Sequence, residues 1–350
     1  MTKMPTRRNA GGSRRRTTLS DVARDAGVSA VTVSRALRSP EMVSLDLRER
    51  IEKSVRELGY IPNQLASALA SARTGTVGVV VPSLTNIVFA DYLRALHDMF
   101  QPAGFQVLVL NSRYAEVDEE KAIATLLGQH PEAMIVAGID QSERSRRLLE
   151  NAGIPVIQTM ELADDPIDIN IGLSQLDAGY AATRYLLDLG FRRIGHVAAR
   201  LEPRARRRME GYRRAMEEAG EDPNPLISST TRPSTFALGT ELFQKMLADA
   251  PDLEAVFCCN DDLALGALFE CQRRSIAVPG DLSIIGFNDL EFCASSYPSL
   301  TSVSTPRYEI ARLAAEIVLE IIRGSGKRPN ESRIDLGYAI IERESTRPRR

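Results

Sequence analysis

Small and apolar residues recur at helical spacing near the start of the chain. Leu19, Val22, Ala23 and Ala26 follow the i, i+3, i+4, i+7 rule of one helix face, and Val28, Thr32 and Val33, then Ala36 and Leu37, form a second set. Gly27 lies between the two runs, where a chain leaving one helix can adopt positive φ without a Cβ clash. Thr18 with Asp21 reads as a capping arrangement for the first helix, and Ser29 as the N-cap of the second. Two short helices joined by a tight turn containing Gly predict a helix-turn-helix, although the bare pattern also fits a helical hairpin that merely packs against something. The second helix of such a motif can enter the DNA major groove, which is wide enough for one α-helix. A third helix is expected after Ser44, with Leu47, Ile51, Val55 and Leu58 on one face and Gly59 as its terminating residue.

The pattern then changes twice. Pro62 interrupts it, and Asn63 can cap a short segment carrying Leu65, Ala66, Leu69 and Ala70. Two turns are too short to hold as a helix in water, so this is either a plain linker or a hinge that becomes helical when paired with its copy on DNA. From Thr76 onward strands and helices alternate. Apolar runs at Val77–Val81, Phe105–Leu110, Ala133–Ala137 and Pro155–Gln158 are separated by helical stretches; a second series holds strands Ile194–Ala198, Ala255–Cys259 and Leu282–Phe287. Near-continuous apolar strands between helices imply parallel sheets covered on both faces. The series is broken near Asp164–Gly172, which predicts an all-α helix-turn-helix head followed by an α/β body of two doubly wound parallel-sheet subdomains. Ligands bind such sheets at the carboxyl ends of their strands, so two facing subdomains make a cleft. The expected boundaries are a disordered basic arm over 1–16, the head over 17–62, the hinge over 63–74 and the body over 75–341. Within the body, the N-subdomain takes about 75–172 and 304–335, and the C-subdomain about 173–303 and 336–341.

Charge sharpens this division. Residues 1–62 hold 13 Lys and Arg against 7 Asp and Glu, a net +6, which leaves −8 for the remainder of a chain of net charge −2. A basic head on an acidic body is the asymmetry of a nucleic-acid module attached to something else. No apolar run approaches the ~20 residues of a membrane span, and no apolar stretch follows the Arg-rich start, so neither a membrane anchor nor a secretory signal is expected. Cys258, Cys259, Cys271 and Cys293 lack CxxC spacing and read as reduced, packed thiols of a cytoplasmic protein.

Catalytic signatures are missing. The chain holds no P-loop, no GxGxxG after its first strand, no GxSxG and no HExxH, and His97, His130 and His196 are scattered. Asp261 and Asp262 invite a metal reading, but adjacent carboxylates at a helix start more simply favour the positive end of the dipole. Neither an enzyme nor a metal or cofactor is expected. A sugar-binding transport component, the other rival, would need a signal peptide and no head.

TLSDVARDAGVSAVTVSRAL, LGYIPNQLASALA and the α/β body, with VFCCNDDLALGAL, VPGDLSIIGFND and YPSLTSV, resemble the lactose-repressor (LacI) family of bacterial transcription regulators over essentially everything after Thr17. Within it, SLTNIVFADYLRAL and FCCNDDLALGALFECQR look most like repressors of gluconate-type catabolism. The resemblance implies a homodimer reading a palindromic operator, a body similar to periplasmic sugar-binding proteins, and a small-molecule effector. It places Leu19, Ser29, Ala30, Val31, Thr32, Ser34, Arg35 and Arg38 at the DNA, with Ala30 and Val31 as the principal base readers; small apolar side chains there can touch a thymine methyl but cannot donate a hydrogen bond. It assigns Asn63, Ala66 and Leu69 to the hinge, Leu69 being the wedge that kinks the minor groove. It puts Asn86, Phe89, Arg208, Asn260 and Asn288 in the effector cleft, where the family often has Asp in place of Asn288. In the run ARLEPRARRRMEGY, Arg204 stands one helical turn before Arg208 and joins it if the helix has begun, whereas Arg206 and Arg207 read as solvated. Guanidinium groups suit carboxylates, so the expected effector is a sugar acid, with a neutral sugar, a nucleobase or a co-repressor as the alternatives.

Overall fold

The computed structural model describes residues 17–61, 73–324, 326 and 328–349. The arm expected over 1–16 and the hinge residues Asn63, Ala66 and Leu69 lie outside the described residues. The chain divides into two compact units, Met1–Thr74 and Gly75–Arg350.

In the first unit, α1 (Leu19–Asp25), α2 (Ala30–Arg38) and α3 (Leu45–Leu58) pack around Val22, Ala23, Ala26, Val33, Ala36 and Ile51. Local chemistry sets each boundary. The Thr18 hydroxyl accepts from the Asp21 amide while the Asp21 carboxylate accepts from the Thr18 amide, a complete capping box. Gly27 turns the chain at φ +63°, Ser29 caps α2 by accepting from the Thr32 amide at 3.1 Å, and Gly59 ends α3 at φ +57°. The Thr17 hydroxyl donates to the carbonyl of Leu58, tying the start of the bundle to its last turn.

The second unit contains two six-stranded sheets. The first comprises β1 (Thr76–Val81), β2 (Gln106–Asn111), β3 (Ala133–Ala137), β4 (Val156–Thr159), β5 (Ile169–Gly172) and β11 (Arg333–Asp335), in the order β11-β5-β4-β3-β1-β2, all parallel. Helices α4 (Val88–Phe100) and α12 (Arg307–Arg323) cover one face, and α5 (Glu116–Leu127) and α6 (Glu143–Glu150) the other. The second comprises β6 (Ile194–Ala198), β7 (Ile227–Ser229), β8 (Ala255–Cys258), β9 (Ser283–Asn288), β10 (Thr301–Ser304) and β12 (Ala339–Ile341), in the order β12-β10-β9-β8-β6-β7. Its faces are covered by α7 (Gln175–Asp188) with α8 (Pro203–Glu218), and by α9 (Phe236–Asp249) with α10 (Asp261–Arg274); a single turn of helix, α11 (Phe292–Ser295), precedes β10. The chain passes between the sheets after β5, after β10 and between β11 and β12.

Several features depart from the pattern read along the chain. The expected break contains β5, a fully buried Ile-Asn-Ile-Gly strand that bridges β4 and β11. Strands β7 and β10 also lie where no strand was expected. Three or four residues carry too little periodicity to announce themselves. The second sheet ends in an antiparallel edge, β12 against β10. The body also continues past Ile341: Ser345 exchanges hydrogen bonds with Ile284 and accepts from the Thr301 amide, and the Arg349 amide donates to Leu189.

One close approach positions the site. Helices α7 and α8 cross where a Cβ on Gly179 would stand 2.4 Å from the carbonyl oxygen of Arg208, and one on Gly211 would stand 2.1 Å from that of Leu176. Only glycines admit this contact, and it sets the height of Arg208 above the second sheet.

Candidate functional site

On the head, α2 presents Val31 and Arg35 outward, Val31 being 68% exposed. Among the described residues the Arg35 guanidinium has no partner; Arg38 reaches back to the Ser34 hydroxyl at 2.7 Å. The Ser29 and Thr32 hydroxyls bond to each other at 2.8 Å at the helix start. Ala30 and Leu19 are half-buried against the head core, so of the two small residues at the helix start only Val31 projects freely. The exposed face of α2 is apolar at Val31 and cationic one turn on, at Arg35.

In the body, the loops after β1, β2, β6, β8 and β9 converge on one cleft. Asn86, Phe89, Arg204, Arg208, Asn260 and Asn288 all line it. Arg208 is 5% exposed and heavily held: its Nε donates to Gln175 Oε1 at 2.7 Å, its Nη1 to the carbonyl of Cys259 at 2.6 Å and to Asn260 Oδ1 at 3.0 Å, and its guanidinium lies 3.8 Å from the centre of the Phe287 ring. Each of these direct partners is formally neutral; the opposing charges are the carboxylates of Glu202 and Glu161, which act on Arg208 without a hydrogen bond to it. Burial draws its pKa down, yet a guanidinium stays protonated near neutrality. Arg204, also buried, stacks 5.5 Å from the Phe89 ring and pairs with Glu202. Burial pushes Glu202 up, but Arg204 and Arg208 outweigh it and hold its carboxyl below the usual range.

The remaining lining groups could not be found by spacing. Arg200 stacks 4.2 Å from the Tyr114 ring, whose hydroxyl accepts from Asn86 Nδ2 at 3.1 Å. Arg307, from the start of α12, donates to the backbone oxygen of Asn288, which sits at φ +111°. Its second terminal nitrogen lies 3.5 Å from Asp91. Arg207 is not simply solvated as expected: it makes a two-pronged ion pair with Asp140, at 2.6 and 3.0 Å, because α8 brings it opposite the loop after β3. Arg206 is exposed. Cys258, Cys259, Cys271 and Cys293 are buried and free of disulfides. Asp261 is spent on structure, accepting from the Leu290 amide and the Ser302 hydroxyl. Among the described residues no helix is long and apolar enough to cross a membrane.

Residues 18–63 match the model of the bacterial regulatory proteins of the lacI family, and residues 183–346 match a periplasmic binding protein-like domain. The chain is 44% identical to the HTH-type transcriptional regulator GntR of Pseudomonas aeruginosa over 95% of its own length and 96% of that protein's. This chain belongs to the LacI family. A LacI-family transcriptional regulator from Silicibacter pomeroyi superposes with a TM-score of 0.89 at 34% identity, covering 95% of this chain and 99% of that one. The lac repressor dimer bound to operator and an anti-inducer superposes at 0.79 with 25% identity, covering 95% and 100%. As a LacI-family transcription regulator, the chain pairs a helical DNA-binding head with two parallel-sheet α/β subdomains.

Proposed function

We propose that this regulator represses genes of sugar-acid catabolism and leaves its operator when a sugar acid such as gluconate binds between the two subdomains. The observation that carries the reading is Arg208: a buried cation facing the cleft with only neutral hydrogen-bond partners. The carboxylates of Glu202 and Glu161 oppose its charge without hydrogen-bonding to it, so an incoming carboxylate can add charge-assisted pairing. Asn260 and Asn288 supply hydroxyl contacts, and Phe89 an apolar face for the carbon skeleton. The effector is bound and released unchanged, with no cofactor.

On the DNA side, two copies of the chain read the half-sites of a palindromic operator in the cytoplasm. Leu19, Ser29, Val31, Thr32, Ser34, Arg35 and Arg38 contact each half-site, and Ala30 supports the helix start. Asn63, Ala66 and Leu69 form the minor-groove hinge. The GntR name of the relative and the operator-bound lac repressor dimer support this reading. A thermal-shift screen of sugars and sugar acids, followed by retardation of a selected operator with and without each hit, tests it. Stabilisation and release by sugar acids are expected; release by neutral hexoses alone overturns the effector assignment.

A further inference from the structure

The cleft is tied across its mouth at two places. Asp140, after β3 of the first sheet, takes both terminal nitrogens of Arg207 from α8 on the second, and Arg207 also lies 3.6 Å from the buried carboxylate of Glu161, after β4. Tyr114, after β2 of the first sheet, lies under the Arg200 guanidinium that follows β6 of the second. The loops that carry the second contact are backbone-constrained on both sides: Arg113 and Tyr114 have φ of 52° and 58°, Arg200 and Leu201 of 65° and 50°. Left-handed conformations at adjacent non-glycine residues cost free energy and persist only when their surroundings hold them. Exposure separates this rim from the floor. The side chains of Arg207 and Asp140 are 30% and 39% exposed, whereas those of Arg204 and Arg307 are 9% and 8%. A motion that parts the subdomains about the crossovers breaks the rim contacts first.

From this geometry we infer that the Arg207–Asp140 ion pair and the Arg200–Tyr114 stack are paired clasps that hold the two subdomains together at the cleft mouth and set how often it opens. The two are chemically distinct: a fork-shaped charge pair and a cation over a ring face. Each is partly exposed and individually weak, but both must yield before a ligand can enter or leave. If the cleft is the effector site proposed above, the clasps set the rate of effector entry and escape. Both contacts are between side chains of the chain itself, and the test adds no effector.

The test is electron–electron distance measurement on ligand-free, full-length protein labelled at Glu143→Cys on α6 and Glu210→Cys on α8. Both positions are exposed and lie on opposite sides of the cleft, while the four native cysteines are buried. Arg207→Gln or Tyr114→Leu should each raise the long-distance population roughly two- to fivefold, as expected for removing one partly exposed contact, and the pair together should raise it further. Asp140→Asn removes only the Asp140 pair and leaves Arg207 facing Glu161, and it should raise the long-distance population as Arg207→Gln does. Unchanged distributions in both Arg207→Gln and Tyr114→Leu overturn the inference. So does an Asp140→Asn variant that matches the parent, since the Arg207–Asp140 pair would then not be the clasp.

Discussion

Arg208 holds the cleft floor together, and under the proposed function it also binds the effector. Its donors satisfy Gln175 Oε1, the Cys259 carbonyl and Asn260 Oδ1, so Arg208→Ala should remove the effector response and also destabilise the body by about 1–3 kcal/mol, the cost of stranding buried acceptors. Operator affinity without effector should hold. Calorimetric unfolding beside effector-free and effector-loaded operator titrations checks all three outcomes. His196 makes an independent prediction. It is fully buried between Tyr212 and Phe257 with neither ring nitrogen hydrogen-bonded, and burial pushes its pKa down from 6.5 to about 3. The folded chain keeps it neutral where the unfolded chain takes a proton. Its contribution is therefore complete above pH 6.5 and is lost as pH falls toward 3, by up to about 1.4 kcal/mol per pH unit. His196→Phe should flatten the loss of Tm between pH 7 and pH 5; an unchanged slope would mean that His196 does not titrate in this way. The i, i+4 spacing of Arg204 and Arg208 makes their shared face legible in the chain. Arg207 was not legible, because Asp140 is 67 residues away and only the crossing of α8 over the loop after β3 brings them together.

At the scale of elements, α2 and the α7–α8 crossing carry the testable consequences. Val31 projects from the start of α2, while Ala30 rests against the head core. Val31→Gln should therefore change the ranked set of half-sites while leaving the salt dependence of binding nearly constant, because the phosphate contacts remain. A pool selection repeated at two salt concentrations reads both; an unchanged ranking would remove Val31 from the reading surface. Gly211→Ala gains helix propensity yet places a methyl 2.1 Å from a backbone oxygen, so α8 must lift and carry Arg204 and Arg208 with it. Loss of effector response together with a lowered Tm is expected from paired melting and binding measurements. Caps and glycines made the head legible residue by residue: Thr18 with Asp21, Ser29 and Gly59 all act where local chemistry puts them. Strands β5, β7, β10, β11 and β12 were hidden, because three or four residues hold no period.

For the whole molecule, effector and operator are coupled by linkage: an effector can shift the regulator off DNA by no more than its differential affinity for the two cleft states. If the effector is the proposed sugar acid, Arg208 at the cleft floor predicts that this differential comes largely from charge. The fold of the body was readable because parallel strands buried on both faces leave near-continuous apolar runs; the charge balance of the cleft was not, because Arg200 and Glu202 enter it from the loop after β6 and Arg307 from the distant start of α12. Calorimetric titration of the full-length protein with gluconate and, in parallel, with glucose separates an anionic effector from a neutral one. Saturable binding of gluconate, lost in Arg208→Ala and absent for glucose, is the predicted result. Tight binding of glucose with no heat from gluconate or any other sugar acid would contradict it.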